Sequence, residues 1–237
     1  MLVPTIRRSM RWFLLIVVGT VGAYLWHSAP QAAESAVLIP PPTLDNPKAP
    51  GPPQTAVLSA GCFWGVQGVF QHVKGVQKAI SGYAGGEART AQYETVSYGD
   101  TGHAESVKIL FDPAEISYGQ LLQIVFSVVH DPTQLNRQGP DVGTQYRSAI
   151  FYADDAQKRI AEAYIAELNN AHAFPKPIVT RIGALRGFYP AEKYHQDYLI
   201  RNPTQPYIAY NDIPKVENFK KAFPELYNAT PVLATAP

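Results

Sequence analysis

A single thiol, Cys62, stands in 237 residues, within the stretch SAGCFWGVQ at residues 59–67. It has no partner for a disulfide inside the chain. By residue type alone, a free cysteine reads as a small buried hydrophobe. Its surroundings point to chemistry instead. TAVLSAG, residues 55–61, reads as a short buried strand ending in glycine. FWGVQGVFQHV then sets Phe63, Val66, Val69, Phe70 and Val73 at helical spacing. Cys62 is thereby expected at a strand-to-helix junction, in or beside the first turn. Unpaired backbone N–H groups and the positive end of the helix dipole favour a thiolate there. The same groups could receive an anionic or oxygen-bearing ligand. His103, His130 and His195 raise the alternatives of a metal site or a Cys–His dyad. Their neighbours lack metal-ligand spacing, so they read as structural hydrogen-bonding residues and no metal is expected.

The elements that must position these residues alternate. VQKAISGYAGG (76–86) reads as a strand running into a glycine-rich turn. A loop precedes a strand over residues 105–111. SYGQLLQIVFSVVH (117–130) has an apolar face and a serine N-cap, which specifies a helix. DPTQLNRQGPDVGTQY is a long polar loop of the kind that often carries function. RSAIFY is a strand, DDAQKRIAEAYIAELNNAH an amphipathic helix with acidic residues at its start, PIVTRI a strand and PAEKYHQDYLIRN a short helix. The order strand–helix–strand, strand–helix–strand, helix implies an α+β fold, a two-layer ferredoxin-like sandwich with long decorated loops.

The ends read differently. Arg7, Arg8 and Arg11 precede an apolar run at residues 12–26, and no acid occurs before Glu34. A basic start followed by an apolar segment is the pattern of a secretory signal. Its 15 residues fall short of the ~20 that a spanning helix needs. Residues 1–33 are therefore expected to be a signal peptide or an N-terminal membrane anchor. The expected location is outside the cytoplasm, either periplasmic or anchored to the outer face of the cytoplasmic membrane. Residues 34–54 read as a proline-rich linker, since 39–54 hold seven of the 21 prolines. The catalytic domain is expected over 55–212. Residues 213–237 read as a tail, one or two helical turns and then disorder. Apolar residues at 46% and charged residues at 16% suit a domain with a real core. A net charge of +1, with no basic stripe among aromatics, argues against nucleic acid as a partner. The protein is expected to be a monomer. Exported domains commonly pair their cysteines, so a lone one here carries information.

GCFWG resembles the signature of the methionine sulfoxide reductase A family. SGYAGG, GDTGHAESV, HDPTQ, RQGPDVGTQYRSAIFY and FYPAEKYHQDYL resemble further family segments, in the family's order, over residues 57–210. The resemblance implies that Cys62 attacks the sulfur of methionine sulfoxide. It implies that Phe63 and Trp64 wall the substrate methyl group and that Glu105 donates a proton to the sulfoxide oxygen. Tyr93 and Tyr146 would be hydroxyl donors and Asp141 a supporting acid. Family members often carry further cysteines near the C-terminus that resolve the oxidised nucleophile; this chain has none. The resemblance therefore implies a sulfenic acid at Cys62 and an external thiol as reductant, from a thioredoxin-like or glutaredoxin-like protein or a small thiol, with no bound cofactor. It also implies preference for the S epimer.

The chemistry agrees with that set. A thiolate is the best side-chain nucleophile for sulfur. Oxygen leaves poorly unless protonated, and a carboxylic acid kept neutral in a partly apolar pocket supplies the proton. Phenols can hold the oxygen as charge develops, and aromatic walls suit an S-methyl group. Other thiol enzymes remain alternatives: a one-cysteine peroxidase, or a Cys–His–Asp hydrolase. So does an exported module that binds methionine-like side chains without turnover.

Overall fold

The computed structural model describes residues 35–235. The expected signal or anchor at residues 1–33 lies outside them. The first strand, β1 (Gln54–Ser59), is buried along its second half. Gly61 follows at φ +89°, a conformation that disfavours a side chain, and turns the chain at Cys62. Helix α1 (Phe63–Gln71) begins there with Cys62 as its N-cap residue. β2 (Val76–Ala84) leads through a short helix α2 (Tyr93–Val96) to β3 (Ala104–Phe111). Helix α3 (Tyr118–Ile124) starts with a capping box between Ser117 and Gln120 and continues as a π turn over Val125–Val129. A two-residue ribbon, β4 (Arg137–Gln138) and β5 (Asp141–Val142), rises out of the long polar loop. β6 (Ala149–Tyr152) precedes α4 (Asp155–Asn170), whose N-cap Asp154 accepts from the Gln157 N–H. β7 (Arg181–Ala184), β8 (Phe188–Pro190), α5 (Tyr198–Arg201) and α6 (Ile213–Ala222) complete the described chain.

Six strands form one mixed sheet in the order β7-β6-β1-β3-β2-β8. The pairs β6–β1, β1–β3, β3–β2 and β2–β8 are antiparallel, and β6–β7 is parallel. The fold is α+β. Alternation sorts the two faces of the sheet. Ala56 and Leu58 of β1 and Val107, Ile109 and Phe111 of β3 enter the main core with Val66, Val69 and Phe70 of α1, Leu121 of α3 and Tyr164 of α4. Val57, Ala84, Ala104, Ala149 and Phe151 form a smaller cluster on the opposite face.

Three sequence expectations need correction. The proline-rich segment 34–54, read as a spacer, is held against the domain wherever it is described. Ile39 is buried. The Val37 N–H donates to the Ser127 carbonyl, the Tyr164 hydroxyl to the Pro40 carbonyl at 2.6 Å, and the Gly119 N–H to the Asp45 carboxylate at 2.8 Å. Prolines extend a chain without preventing it from lying on a surface that accepts its carbonyls. The tail from residue 213 is also ordered where described. α6 runs ten residues, the Val232 N–H meets the Gln71 carbonyl, and the Asp197 carboxylate takes the N–H of Ala234. Finally, PAEKYHQDYLIRN is broken. A 3-10 turn (Lys193–His195) and α5 are separated by Gln196 and by Asp197, the latter at φ +58°. Buried side-chain bonds explain the break: Gln67 and Ser81 hold Gln196, and Gln71 holds Asp197.

Candidate active site

β1 and Gly61 deliver Cys62 to the N-cap of α1, where the backbone of Trp64 favours its ionised form. The thiol is almost fully buried. Its proton affinity departs from the expectation of a resting thiolate. Burial pushes the Cys62 pKa well above that of an ordinary thiol, and the charges of Glu105, Asp212 and Asp141 push it further. The helix N-terminus pulls the other way and loses. The resting group is a neutral thiol.

Glu105 lies two residues before Val107, in phase with the row Val107, Ile109, Phe111 on the core face of β3. That phase carries its carboxyl under α1, where Oε2 accepts the Phe63 N–H at 2.9 Å. Burial raises its pKa to about 8; the Phe63 bond opposes the shift, and Asp141 and Asp212 add to it. Glu105 is thus an acid at neutral pH.

A cavity of about 190 Å³ is lined by Cys62, Phe63, Trp64, Tyr93, Glu105, Asp141, Tyr146 and Tyr207. All seven residues singled out in the sequence meet here, from α1, α2, β3, β5 and the turn before β6. Tyr207 was missed by the sequence reading. Its hydroxyl donates to the Asp141 Oδ2. Burial raises the Asp141 pKa, against the opposing effects of the Tyr207 bond and Lys215. Tyr207 lies immediately before a π turn, Ile208–Asp212, an insertion often found at functional sites.

The aromatic wall is braced. Trp64 stacks on Tyr198 with ring centroids 4.0 Å apart and 12° between planes, and meets Tyr207 edge-on at 6.0 Å. The Trp64 indole N–H donates to His195 Nδ1 at 3.1 Å. His195 therefore carries its proton on Nε2, 4.0 Å from the Glu192 carboxylate. Glu192 accepts from the Tyr83 hydroxyl and from the Tyr93 N–H, each at 3.0 Å. The other two histidines are structural, as expected. His103 accepts the Gly86 N–H and donates to the Glu87 carbonyl. His130 pairs with the Val125 carbonyl and the Ser148 hydroxyl, and burial lowers its pKa to about 4. Among the described residues no group of His, Cys, Asp and Glu could hold a metal ion.

A buried thiol, a protonated carboxyl beside it, three phenols and a braced aromatic wall define a thiol-based enzyme site that can protonate an oxygen while sulfur attacks. The comparisons with known proteins say which kind. Residues 54–227 match the family model described as peptide methionine sulfoxide reductase. The chain is 62% identical over 190 residues to peptide methionine sulfoxide reductase MsrA 2 of Mesorhizobium japonicum, covering 80% of this chain and 97% of that protein. It is 48% identical over 195 residues to MsrA 2 of Synechocystis sp., covering 81% and 91%. Among solved structures it is similar to reduced Mxr1 of Saccharomyces cerevisiae, with TM-score 0.58, 32% identity, and coverage of 69% of this chain and 92% of that one. It is similar also to methionine sulfoxide reductase A of Corynebacterium diphtheriae, with TM-score 0.56, 32% identity, and coverage of 75% and 92%. The chain belongs to the peptide methionine sulfoxide reductase A family.

Proposed function

We propose that this protein is a peptide-methionine (S)-S-oxide reductase that returns methionine sulfoxide, free and in proteins, to methionine through a sulfenic acid on Cys62. The observation that carries the reading is the cavity in which Cys62 and a protonated Glu105 face the same space beside Phe63 and Trp64. The substrate methyl group rests on the Phe63–Trp64 wall. Its oxygen lies toward Glu105 and the hydroxyls of Tyr93 and Tyr146, with Asp141 orienting Tyr207. Cys62 sulfur attacks the substrate sulfur as Glu105 protonates the oxygen. The S–O bond breaks and the oxygen ends on Cys62. Overall, Cys–SH and sulfoxide become Cys–SOH and sulfide, with two electrons passing from Cys62 to the substrate sulfur. One external thiol then displaces water to give a mixed disulfide, and a second releases Cys62 as the thiol. A chiral pocket with fixed wall and fixed donors supports preference for the S epimer.

The hydrolase alternative needs a histidine acting on Cys62. The histidine packed in this site, His195, spends its Nδ1 on Trp64. The strand order β6-β1-β3-β2, with α1 and α3 in the crossovers, is that of a split βαβ pair and supports the ferredoxin-like reading, extended here by β7 and β8. The reductant is a thioredoxin-like or glutaredoxin-like protein, or a small thiol, and no cofactor is bound. The protein works as an exported monomer, and the membrane is reached only through the N-terminal segment. A fusion of residues 1–54 to a reporter active only outside the cytoplasm is expected to signal; a well-expressed silent fusion contradicts export.

Single-turnover chemistry tests the mechanism. One equivalent of methionine S-sulfoxide without thiol is expected to give one methionine and a dimedone adduct at Cys62, read by intact mass. Full methionine release with no adduct would mean that the oxygen goes elsewhere. With dithiothreitol present, equal rates on the two epimers would remove the stereochemical assignment.

A further inference from the structure

We propose that Asp212 and Lys215, an ion pair buried beneath the first turn of α1, set the reactivity of Cys62. The proposal rests on the reading that Cys62 is the nucleophile. Asp212 ends the π turn after Tyr207 and is fully buried. Its Oδ1 accepts from Lys215 Nζ at 3.1 Å, and the Lys215 side chain is itself only 11% exposed. The other oxygen, Oδ2, is buried without a hydrogen-bond partner. The pair presses on the active-site helix. A Cβ on Gly65, the third residue after Cys62, would lie 2.2 Å from Asp212 Oδ1 and 3.1 Å from Lys215 Nζ. Glycine at 65 is what lets both charges come this close to the start of α1.

An anchor alone is a weak explanation for such a pair. Desolvation cancels much of what a buried ion pair gains, and apolar packing would hold α6 as well or better. What an apolar pair cannot supply is charge, and the neighbourhood is electrostatically one-sided. Around Cys62 stand Glu105 from β3, Asp141 from β5, and the phenols Tyr93 from α2, Tyr146 and Tyr207, with Asp212 below. The negative charge of Asp212 raises the proton affinity of Cys62, Glu105 and Tyr207. Lys215 lowers that of Asp141 and Asp212. The two residues therefore act in opposite senses. Asp212 keeps Cys62 protonated at rest, which guards a thiol that no second cysteine can protect. Lys215 limits the charge that accumulates as the thiol ionises. Both are positioning residues: Asp212 acts on Cys62 through space, and Lys215 acts through Asp212 and Asp141.

The test reads Cys62 directly, without substrate: its rate of alkylation by iodoacetamide from pH 6 to 10. Asp212→Asn leaves Lys215 uncompensated and is expected to raise the rate at pH 8 about tenfold, equivalent to one unit of pKa. Lys215→Met leaves Asp212 uncompensated and is expected to lower the rate by a similar factor at pH values where Asp212, whose own pKa burial raises, is ionised. The double variant is expected to return near the parent. Where Lys215→Met does not fold, the comparison of Asp212→Asn with the double variant, which removes both charges of the pair, decides the matter. Unchanged rates in the single variants, shifts in the same direction, or a double variant no slower than Asp212→Asn overturn the proposal. Because sulfoxide reduction is not measured, this result is independent of the assignment of the substrate.

Discussion

Glu105 gives the site its pH dependence through burial. Its folded-state pKa of about 8 lies far above the value of 4.5 for a free carboxyl. The proton needed by the sulfoxide oxygen is therefore present at neutral pH and lost as pH rises through 8. The rate of methionine formation, corrected for the rising thiolate fraction of Cys62, is expected to fall about tenfold per unit above that point in single-turnover profiles. Glu105→Gln is expected to lower the rate by ~10²–10⁴-fold while keeping the bond from the Phe63 N–H. Stability supplies a second readout with its own sign. A raised carboxyl binds its proton more tightly in the folded state. Its stabilising contribution is full below pH 4.5 and is lost as pH climbs through 8. Glutamine has no proton to lose, so Glu105→Gln is expected to melt above the parent at pH 9 and close to it at pH 4.5. A melting difference independent of pH would show that Glu105 is not buried as an acid.

Helix α1 does more at the element scale than present a thiol at its end. Gly65 and Gly68 lie one turn apart, and later parts of the chain close onto both. Asp212 packs at the first. Leu199 of α5 packs at the second, where a Cβ would lie 2.6 Å from Leu199 Cδ1 and 3.3 Å from its Cβ. Contact with Leu199 Cβ means that rotating the leucine cannot relieve the crowding. Overpacking of this kind costs roughly 1–3 kcal/mol, against the about 1 kcal/mol that alanine gains over glycine in a helix. Gly68→Ala is expected to destabilise the protein by about 1 kcal/mol in urea titrations, and a stabilised variant would show that α5 yields. The same close approach brings Tyr198 under Trp64 and so builds the methyl wall.

At the scale of the whole molecule, segments from both ends of the described chain clasp the domain. Asp45 accepts from the Gly119 N–H and the Ser117 hydroxyl at the start of α3, while Ile39 is inserted into the main core. Ile39→Ala is expected to cost roughly 2–4 kcal/mol, as for a buried isoleucine; a free spacer would lose nothing, and equilibrium unfolding distinguishes the two. At the other end Asp197, wholly buried, gathers Gln71, Ala234 and Thr235. The clasps extend the packed unit on both sides of the expected 55–212; the family match over 54–227 also passes residue 212 but does not include residues 35–53.

Much of the site was legible in residue order because its parts are local. The junction that holds Cys62 follows from a buried strand, a glycine and a 3.6-residue period within one stretch, and the motifs that resemble the family name seven of the eight cavity residues. Even the burial of Glu105 was latent in the alternation of β3, where it falls in phase with Val107, Ile109 and Phe111. Tyr207, Asp212 and the bracing by His195 left no such trace. They reach the site from more than 130 residues beyond Cys62, through a broken helix and a π turn that no periodicity marks. The proline-rich strap was misread for a related reason: composition reports whether a segment can build a core, not whether a finished core will accept it. The protonation of Cys62 was decided by tertiary structure alone. A helix N-terminus is a local feature and favours the thiolate, whereas desolvation and the charges of Glu105, Asp141 and Asp212 exist only once the chain has closed around the sulfur, and together they outweigh it.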